Sequence, residues 1–477
     1  MARPTRITAA LAAVSLAGIA IAAATGSGAA LAARATAARG AKPARPASVP
    51  TNIDATPLSG NQAEQTVAVD PKDTDNIVVL ANAPSGLVES WSHDGGKTWT
   101  QHTFTDACCD PSLSYDQFGN LFMAYLYASL PDSVPVFLST DDGDSFTLLG
   151  SVSTRPLHGR KTGPGRGTAF ADQPTISTGA GSVWVTYTTT GDSHVVAAGA
   201  KVRGFGDVGK LHARQEVPGT NGVGDYGDIQ ISPSGKVVVS YQNPTGGQGP
   251  ADLWTAVDPD GLGPKGFNTP KLLTVTNVGG FDYIPAQSGR SVDAEFNLAY
   301  DRTGGPHNGR LYAIWLSENP DESNNMDVMF QYSDDNTKTW STAVRVNDDG
   351  GTNSQFNPAI ALDQSTGNIG IAWFDCRKDH GTGGKGDTDG VPNDDAQFWG
   401  TWSTDGGQTF AKNIQISKGT SNAADAHSGV DYGDFTHVAF AGGLFFPLWS
   451  DNSNSTGTNP DGKLHAFDIY LAIIPVS

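Results

Sequence analysis

Ser92-His93-Asp94-Gly95-Gly96-Lys97-Thr98-Trp99 is the stretch on which the fold turns, because it occurs four times. It returns as Ser403-Thr404-Asp405-Gly406-Gly407-Gln408-Thr409-Phe410. Looser copies are Ser139-Thr140-Asp141-Asp142-Gly143-Asp144-Ser145-Phe146 and Ser333-Asp334-Asp335-Asn336-Thr337-Lys338-Thr339-Trp340. The shared pattern is Ser-x-Asp-x-Gly-x-Thr-aromatic, with Asn336 standing for a Gly in one copy and Ser145 for Thr in another. Physically this is a hairpin turn. The Asp carboxylate accepts from backbone N–H groups just beyond it, Gly or Asn takes positive φ, and the ring packs back on the sheet. Four copies, each bounded by strand-like runs, define a repeating unit.

A second repeat runs in phase with the first. A short strand candidate ending near Asp is followed by turn residues and an apolar strand. Residues 112–116 lead through Gly119-Asn120 to 121–126, and 359–363 lead through Gly367-Asn368 to 369–373. Seven such units start near residues 62, 109, 172, 224, 293, 355 and 430. Helical periodicity is almost absent, and β-branched and aromatic residues are enriched throughout. Several four-stranded units joined by hairpin turns predict an all-β fold, a seven-bladed β-propeller. The seventh unit offers only three strands, so residues 49–56 are expected to supply its outer strand and close the ring.

The Ser-x-Asp-x-Gly-x-Thr-Trp element resembles the Asp box, or bacterial neuraminidase repeat, of sialidases and related secreted propellers, over residues 60–477. The resemblance implies a glycan-acting or glycan-recognising protein, with exo-acting glycoside hydrolysis as its activity. A non-catalytic binding or scaffold propeller is the alternative. Sialidases have six blades, so six stands beside seven. Family chemistry calls for three arginines on the substrate carboxylate, an Asp acid/base, a Tyr nucleophile with a Glu, and Arg-Ile-Pro before the first Asp box. This chain departs from that pattern: no arginine lies between Arg45 and Arg155, and the Ile284-Pro285 pair belongs to a later unit.

Blade topology places the repeated turns at one end, so chemistry is expected at the other, where inner strands begin and second strands end. Those positions are polar and mostly acidic: Gln62, Glu64, Asp110, Asp172, Gln173, Tyr226, Asp228, Asp293, Glu295, Tyr432 and Asp434 before inner strands, Asn82, Gln242, Glu318, Asp375 and Asp451 after second strands. Two units share the tetrad Asp-Tyr-Gly-Asp, at 225–228 and 431–434. Converging carboxylates repel unless protonated, paired or metal-bound, which marks them as site candidates. Asp at strand ends also caps turns, and that reading stands beside the functional one. The candidate catalytic groups are Asp110, Asp228, Glu295, Tyr432 and Asp434. The candidate substrate-binding groups are Arg166, Arg290, Asp375, Arg377 and Tyr226.

The loop 378–395 is rich in Gly and Asp, and Asp387, Asp389 and Asp395 suit calcium, an ion that takes six to eight oxygens. The spacing is not that of the twelve-residue helix-loop-helix site. No other cofactor is called for. Cys108 and Cys109 are adjacent and Cys376 stands alone; a vicinal bond, a bridge to Cys376 and free thiols all remain open.

The chain has 477 residues, with 49 acidic against 30 basic side chains, a net charge of −19. Residues 1–50 hold six basic groups and no acidic one, leaving −25 on the rest. Such an anionic body excludes nucleic acid as a partner. Arg3 and Arg6, the apolar run 9–24 and Ala30-Leu31-Ala32 form the pattern of a secretory signal over 1–32. Residues 33–50 read as an Ala/Pro/Arg-rich linker and 51–477 as the propeller. No stable membrane span is present. The expectation is a secreted, extracellular monomer whose partner is a glycan or glycoconjugate.

Overall fold

A computed structural model describes residues 48–127, 133–153, 171–189, 194–244, 246–426 and 430–476. The signal segment, nearly all of the linker and Arg166 lie outside the described residues. Seven antiparallel sheets of four or five strands, one per sequence unit, form a seven-bladed β-propeller. Blade 1 is built from Ala63–Val69, Ile77–Ala83, Gly86–Ser92 and Thr100–Phe104, counted from the axis outward. The inner strands of blades 2 to 7 are Ala107–Tyr115, Ala171–Gly179, Ile229–Ile231, Asn297–Tyr300, Gln355–Leu362 and Val438–Ala441. The ring closes with Ile53–Asp54, which pairs with Asp468–Leu471 as the outer strand of blade 7. The six-bladed alternative is thereby corrected: residues from both ends of the described chain complete a seventh sheet. One 3-10 turn, Pro285–Gln287, is the only helix among the described residues, and none is long and apolar enough to cross a membrane.

Each blade packs between two others, so its second strand is buried on both faces and reads as a continuous apolar run. In blade 1, Ile77, Val78, Val79, Leu80 and Ala81 are all fully buried. The two-residue period of a strand then divides them. Ile77, Val79 and Ala81 pack with Phe446, Leu448, Ile469 and Leu471 of blade 7. Val78 and Leu80 pack with Leu113, Leu121, Met123 and Tyr125 of blade 2. The hydrophobic core is thus a set of wedges between blades.

The four repeated turns join third to fourth strands in blades 1, 2, 5 and 6. In blade 1 the Ser92 hydroxyl accepts from Gly96 N (2.9 Å), and Asp94 accepts from Thr98 N (2.9 Å) and Thr98 Oγ1 (2.7 Å). Ser139–Asp141–Ser145, Ser333–Asp335–Thr339 and Ser403–Asp405–Thr409 make the same bonds. Two consecutive residues in each turn have positive φ; blade 5 places Asn336 (59°) and Thr337 (63°) where blade 1 has two glycines.

Candidate functional site

At the other end of the blades, inner strands begin with a break in the ladder. Register shifts fall between Ala63 and Thr66, Cys109 and Ser112, Asp172 and Thr175, and Phe356 and Ala359. The residue at each break is left-handed: Glu64 (φ 54°), Asp110 (54°), Gln173 (42°), Tyr226 (40°), Glu295 (46°), Asn357 (44°) and, in blade 7, Gly433 (86°). Six of the seven are not glycine, so the ring stores strain of roughly 1–3 kcal/mol per position, and strain of this kind concentrates at functional sites. A bulge re-aims its side chain. Second-strand ends hold the bulges in place: Asn82 Oδ1 accepts from Asp110 N (3.1 Å) and Gln242 Oε1 from Ala294 N (3.1 Å).

The result is a mouth of seven carboxyl groups, from Glu64, Asp110, Asp172, Asp225, Asp293, Glu295 and Asp434, with Tyr226 and Arg290. Asp434 stands at the centre of their electrostatics, its charge acting on Glu64, Asp110, Asp172, Asp225, Asp293, Glu295 and Tyr226. Arg290 is ion-paired with Asp434. It arrives on the segment between blades 4 and 5, which is tethered across the mouth by Gly289 N to Asp431 Oδ2 (2.6 Å) and Gln287 Nε2 to Gly433 O (2.6 Å). Burial first, then the charges of Asp434 and Asp110, pushes the Glu64 carboxyl well above its usual range. Burial does the same for Asp110, with Asp434 and Asp172 adding. Asp225 is lifted to about 6 by burial and by Asp172. Glu64 accepts from Asn82 Nδ2 and lies beside both Asp434 and Asp110, and adjacent carboxyl groups repel unless one keeps its proton. The mouth thus sets carboxyl groups raised by burial beside an arginine-paired carboxyl, an arrangement suited to general acid–base chemistry.

Of the sequence candidates, Asp110, Glu295, Asp434, Arg290 and Tyr226 come together here. Four are placed elsewhere. Asp228 sits on the channel wall below, where it accepts from Ile229 N (2.6 Å) and Leu298 N (2.7 Å) and ties blade 4 to blade 5. Tyr432 is fully buried among the rings of Phe356, Phe374 and Phe467. Asp375 is fully buried, accepting from Trp373 Nε1 (2.7 Å) and Arg377 (2.7 Å). Arg377 also bonds Asp348 at the edge of blade 5 (2.9 Å) and stacks on Trp399, so both groups are spent on packing within blade 6 and against blade 5. Glu64, Asp172 and Asp293, noted among the acids before inner strands, and Asp225, the first residue of a duplicated tetrad, join the site although none was placed in the catalytic or substrate-binding set. Their signal was position: each lies within a residue or two of the bulge in its unit.

Among the described residues, two cavities lie along the axis. One of about 30 Å³, under the mouth, is lined by Tyr226, Asp228, Glu295 and His437. The larger, of about 660 Å³, runs along the inner strands to their far turns at Lys72, Asp116, Arg302 and Asp363. The two share Thr175, Asp228, Asn297 and His437, so the larger space begins beneath the mouth and widens toward the far turns; the carboxyl cluster, not the volume, marks the chemistry.

In blade 6 the loop carboxylates do converge. Asp387, Asp389 and Asp395 bring one oxygen each within 4.8 Å of one another, as do Asp379, Asp394 and Asp395. Asp395 accepts from Thr388 Oγ1 (2.7 Å) and Asn422 Nδ2 (3.0 Å), while Asp394 Oδ1 is buried with no donor. An all-oxygen set with a bare buried oxygen fits a hard cation. Cys108 and Cys109 form a vicinal disulfide immediately before Asp110, and Cys376 is a buried free thiol.

No protein-family model matches the sequence, and no curated protein matches it. Solved structures of similar shape include a phage phi92 endosialidase, 12% identical, TM-score 0.47, covering 90% of this chain and 69% of that one. A polysaccharide lyase is 11% identical, TM-score 0.44, covering 89% of this chain and 90% of its own. An α-L-arabinofuranosidase of Fusarium graminearum is 11% identical, TM-score 0.41, with 90% and 98% covered. Likenesses this distant do not extend to the reaction, which has to be argued from the mouth itself.

Proposed function

We propose that the protein is exported and acts on a neutral glycan at the carboxyl-lined mouth. The observation that carries this reading is the cluster of adjacent carboxyl groups Glu64, Asp110 and Asp434, with Arg290 ion-paired to Asp434. In it the adjacent Glu64 and Asp434 act as one acid–base unit, giving a proton to the leaving glycosidic oxygen and taking one back from the attacking water. Tyr226 and Arg290 orient the sugar. Phe281 and Tyr283, 58% and 46% exposed on the segment that carries Arg290, offer faces for sugar rings. Seven carboxyl groups around one arginine make a poor receptor for a sialic acid carboxylate, so the sugar is taken to be uncharged. Asp387, Asp389 and Asp395 are assigned calcium, which orders the blade 6 loop.

The test is turnover of a panel of fluorogenic glycosides, sialosides and plant and bacterial polysaccharides, with and without chelator. Activity on a neutral substrate that falls at least about 100-fold in Glu64→Gln and Asp434→Asn supports the reading. The missing first-blade arginine favours a second reading, a non-catalytic glycan-binding propeller. Retention of a glycan on an array with no turnover of any substrate would establish that one.

A further inference from the structure

The segment that delivers Arg290 leaves the outer strand of blade 4, Lys271–Thr276, and is closed at its base by a two-way backbone pair. Asp282 N donates to Val292 O (2.7 Å) and Val292 N to Asp282 O (2.8 Å). Asp282 is fully buried; its Oδ2 accepts from Gly279 N (3.1 Å), while its Oδ1 has no donor. Glu318, just past the second strand of blade 5 (Leu311–Ser317), is 5% exposed; its Oε1 accepts from Asn324 N and its Oε2 is buried with no donor. Glu322 is exposed and accepts from Gln248 Nε2 (3.2 Å). One oxygen of each of these three carboxylates lies within 4.8 Å of the other two. None of the three enters an ion pair among the described residues.

Buried carboxylate oxygens without donors are costly, and two of them beside a third acid call for a cation. We propose that Asp282, Glu318 and Glu322 bind a calcium ion that pins the Arg290 segment to blade 5. Two oxygens on one calcium, each at about 2.4 Å, can stand up to about 4.8 Å apart, which is the envelope seen here. Magnesium keeps several waters and is seldom held by a cage of three carboxylates. The remaining coordination positions go to carbonyl and water oxygens. The ion acts on the mouth through Asp282: its partner Val292 lies two residues from Arg290, so fixing Asp282 fixes the reach of Arg290 to Asp434. The site is separate from the blade 6 loop and independent of whether the mouth turns over a glycan.

The experiment is calcium titration of the chelator-treated full chain by calorimetry, in wild type and in Glu322→Gln, Asp282→Asn and Asp389→Asn. Glu322 is exposed, so its variant is expected to fold as wild type. A calcium site weakened at least about tenfold in Glu322→Gln and Asp282→Asn, yet kept in Asp389→Asn, is the expected result. Hydrogen exchange of residues 278–292 should slow on adding calcium to wild type and not to Glu322→Gln. Wild type that takes up no calcium at millimolar concentration, or full uptake in Glu322→Gln, overturns the proposal. So does loss of all uptake in Asp389→Asn.

Discussion

Aspartate builds both ends of this propeller, with opposite electrostatics. In the outer turns the carboxylates are surrounded by donors. Burial is the largest single influence on Asp405 and raises it, but the hydroxyl and N–H of Thr409, the Ser403 hydroxyl and Gln408 N together outweigh it and lower the group to about 2. Asp141 and Asp335 are lowered in the same way. In the mouth the donors are too few. Glu64, Asp110, Asp293 and Glu295 are raised by burial first and then by neighbouring carboxylates, Asp434 among them in every case. The turns repeat one motif four times with a nearly constant set of bonds. The mouth repeats a backbone bulge seven times and varies the side chain on it. Repetition of residues marks what holds the blades together, while repetition of a strained backbone with changing residues marks the site.

The comparison breaks most visibly at Asp110. Replacing it with Asn should lower turnover at least about 100-fold, because the acid beside Glu64 is lost. The same variant should unfold at a higher denaturant concentration at pH 8, because a buried acid is removed. Lower stability with unchanged turnover would make Asp110 a structural group like Asp405. Asp225→Asn gives the next largest effect. The folded Asp225 carboxyl stands at about 6 against 3.8 for the free group. Its favourable contribution is full below about pH 4 and is lost as pH rises through 6, at a cost of up to roughly 3 kcal/mol. The variant should therefore gain about that much over wild type at pH 8 and nothing at pH 4, measured by chemical unfolding at both. An equal gain at both values would contradict the assignment.

The blades were legible because every unit restates an inner strand, a turn and a fully apolar second strand, as residues 77–81 and 121–126 do. The mouth was half legible, since acids cluster before inner strands in most units. What stayed hidden was the bulge: Glu64, Tyr226 and Glu295 carry no residue-type signature of positive φ. The duplicated tetrads show the consequence. In blade 4 the break falls on Tyr226, which turns to the mouth, and Asp228 is left on the channel wall. In blade 7 it falls on Gly433, one place later, so Tyr432 enters the core and Asp434 takes the mouth. A shift of one residue in a strand exchanges its two faces, and identical sequences acquire different roles. Arg377 was misplaced for another reason: its partners Asp348 and Asp349 lie on a different blade's edge, 29 and 28 residues away, and their ion pairs are set by tertiary packing.

The smallest effect gives the sharpest contrast, because it uses the same chemical change with the opposite sign. In the blade 6 turn, Asp405 Oδ1 accepts from Gln408 N (3.0 Å) and Thr409 N (2.9 Å), and Oδ2 accepts from Thr409 Oγ1 (2.6 Å). Asp405→Asn exchanges one acceptor oxygen for a donor and sets an N–H against one of these partners. The group is only partly buried, so water takes up part of the loss and the expected destabilisation at pH 7 is about 1 kcal/mol. A folded value near 2 against 3.8 unfolded means the carboxylate's contribution is present above pH 4 and is lost as pH falls through 2. The gap between variant and wild type should therefore close below pH 3, whereas the gap for Asp225→Asn opens above pH 6. Turnover should not change, since the turn lies at the far end of the blade from Glu64. Chemical unfolding at pH 7 and pH 3 decides it: an Asp405→Asn protein more stable than wild type at pH 7 would mean that the turns, too, hold their acids against a deficit of donors.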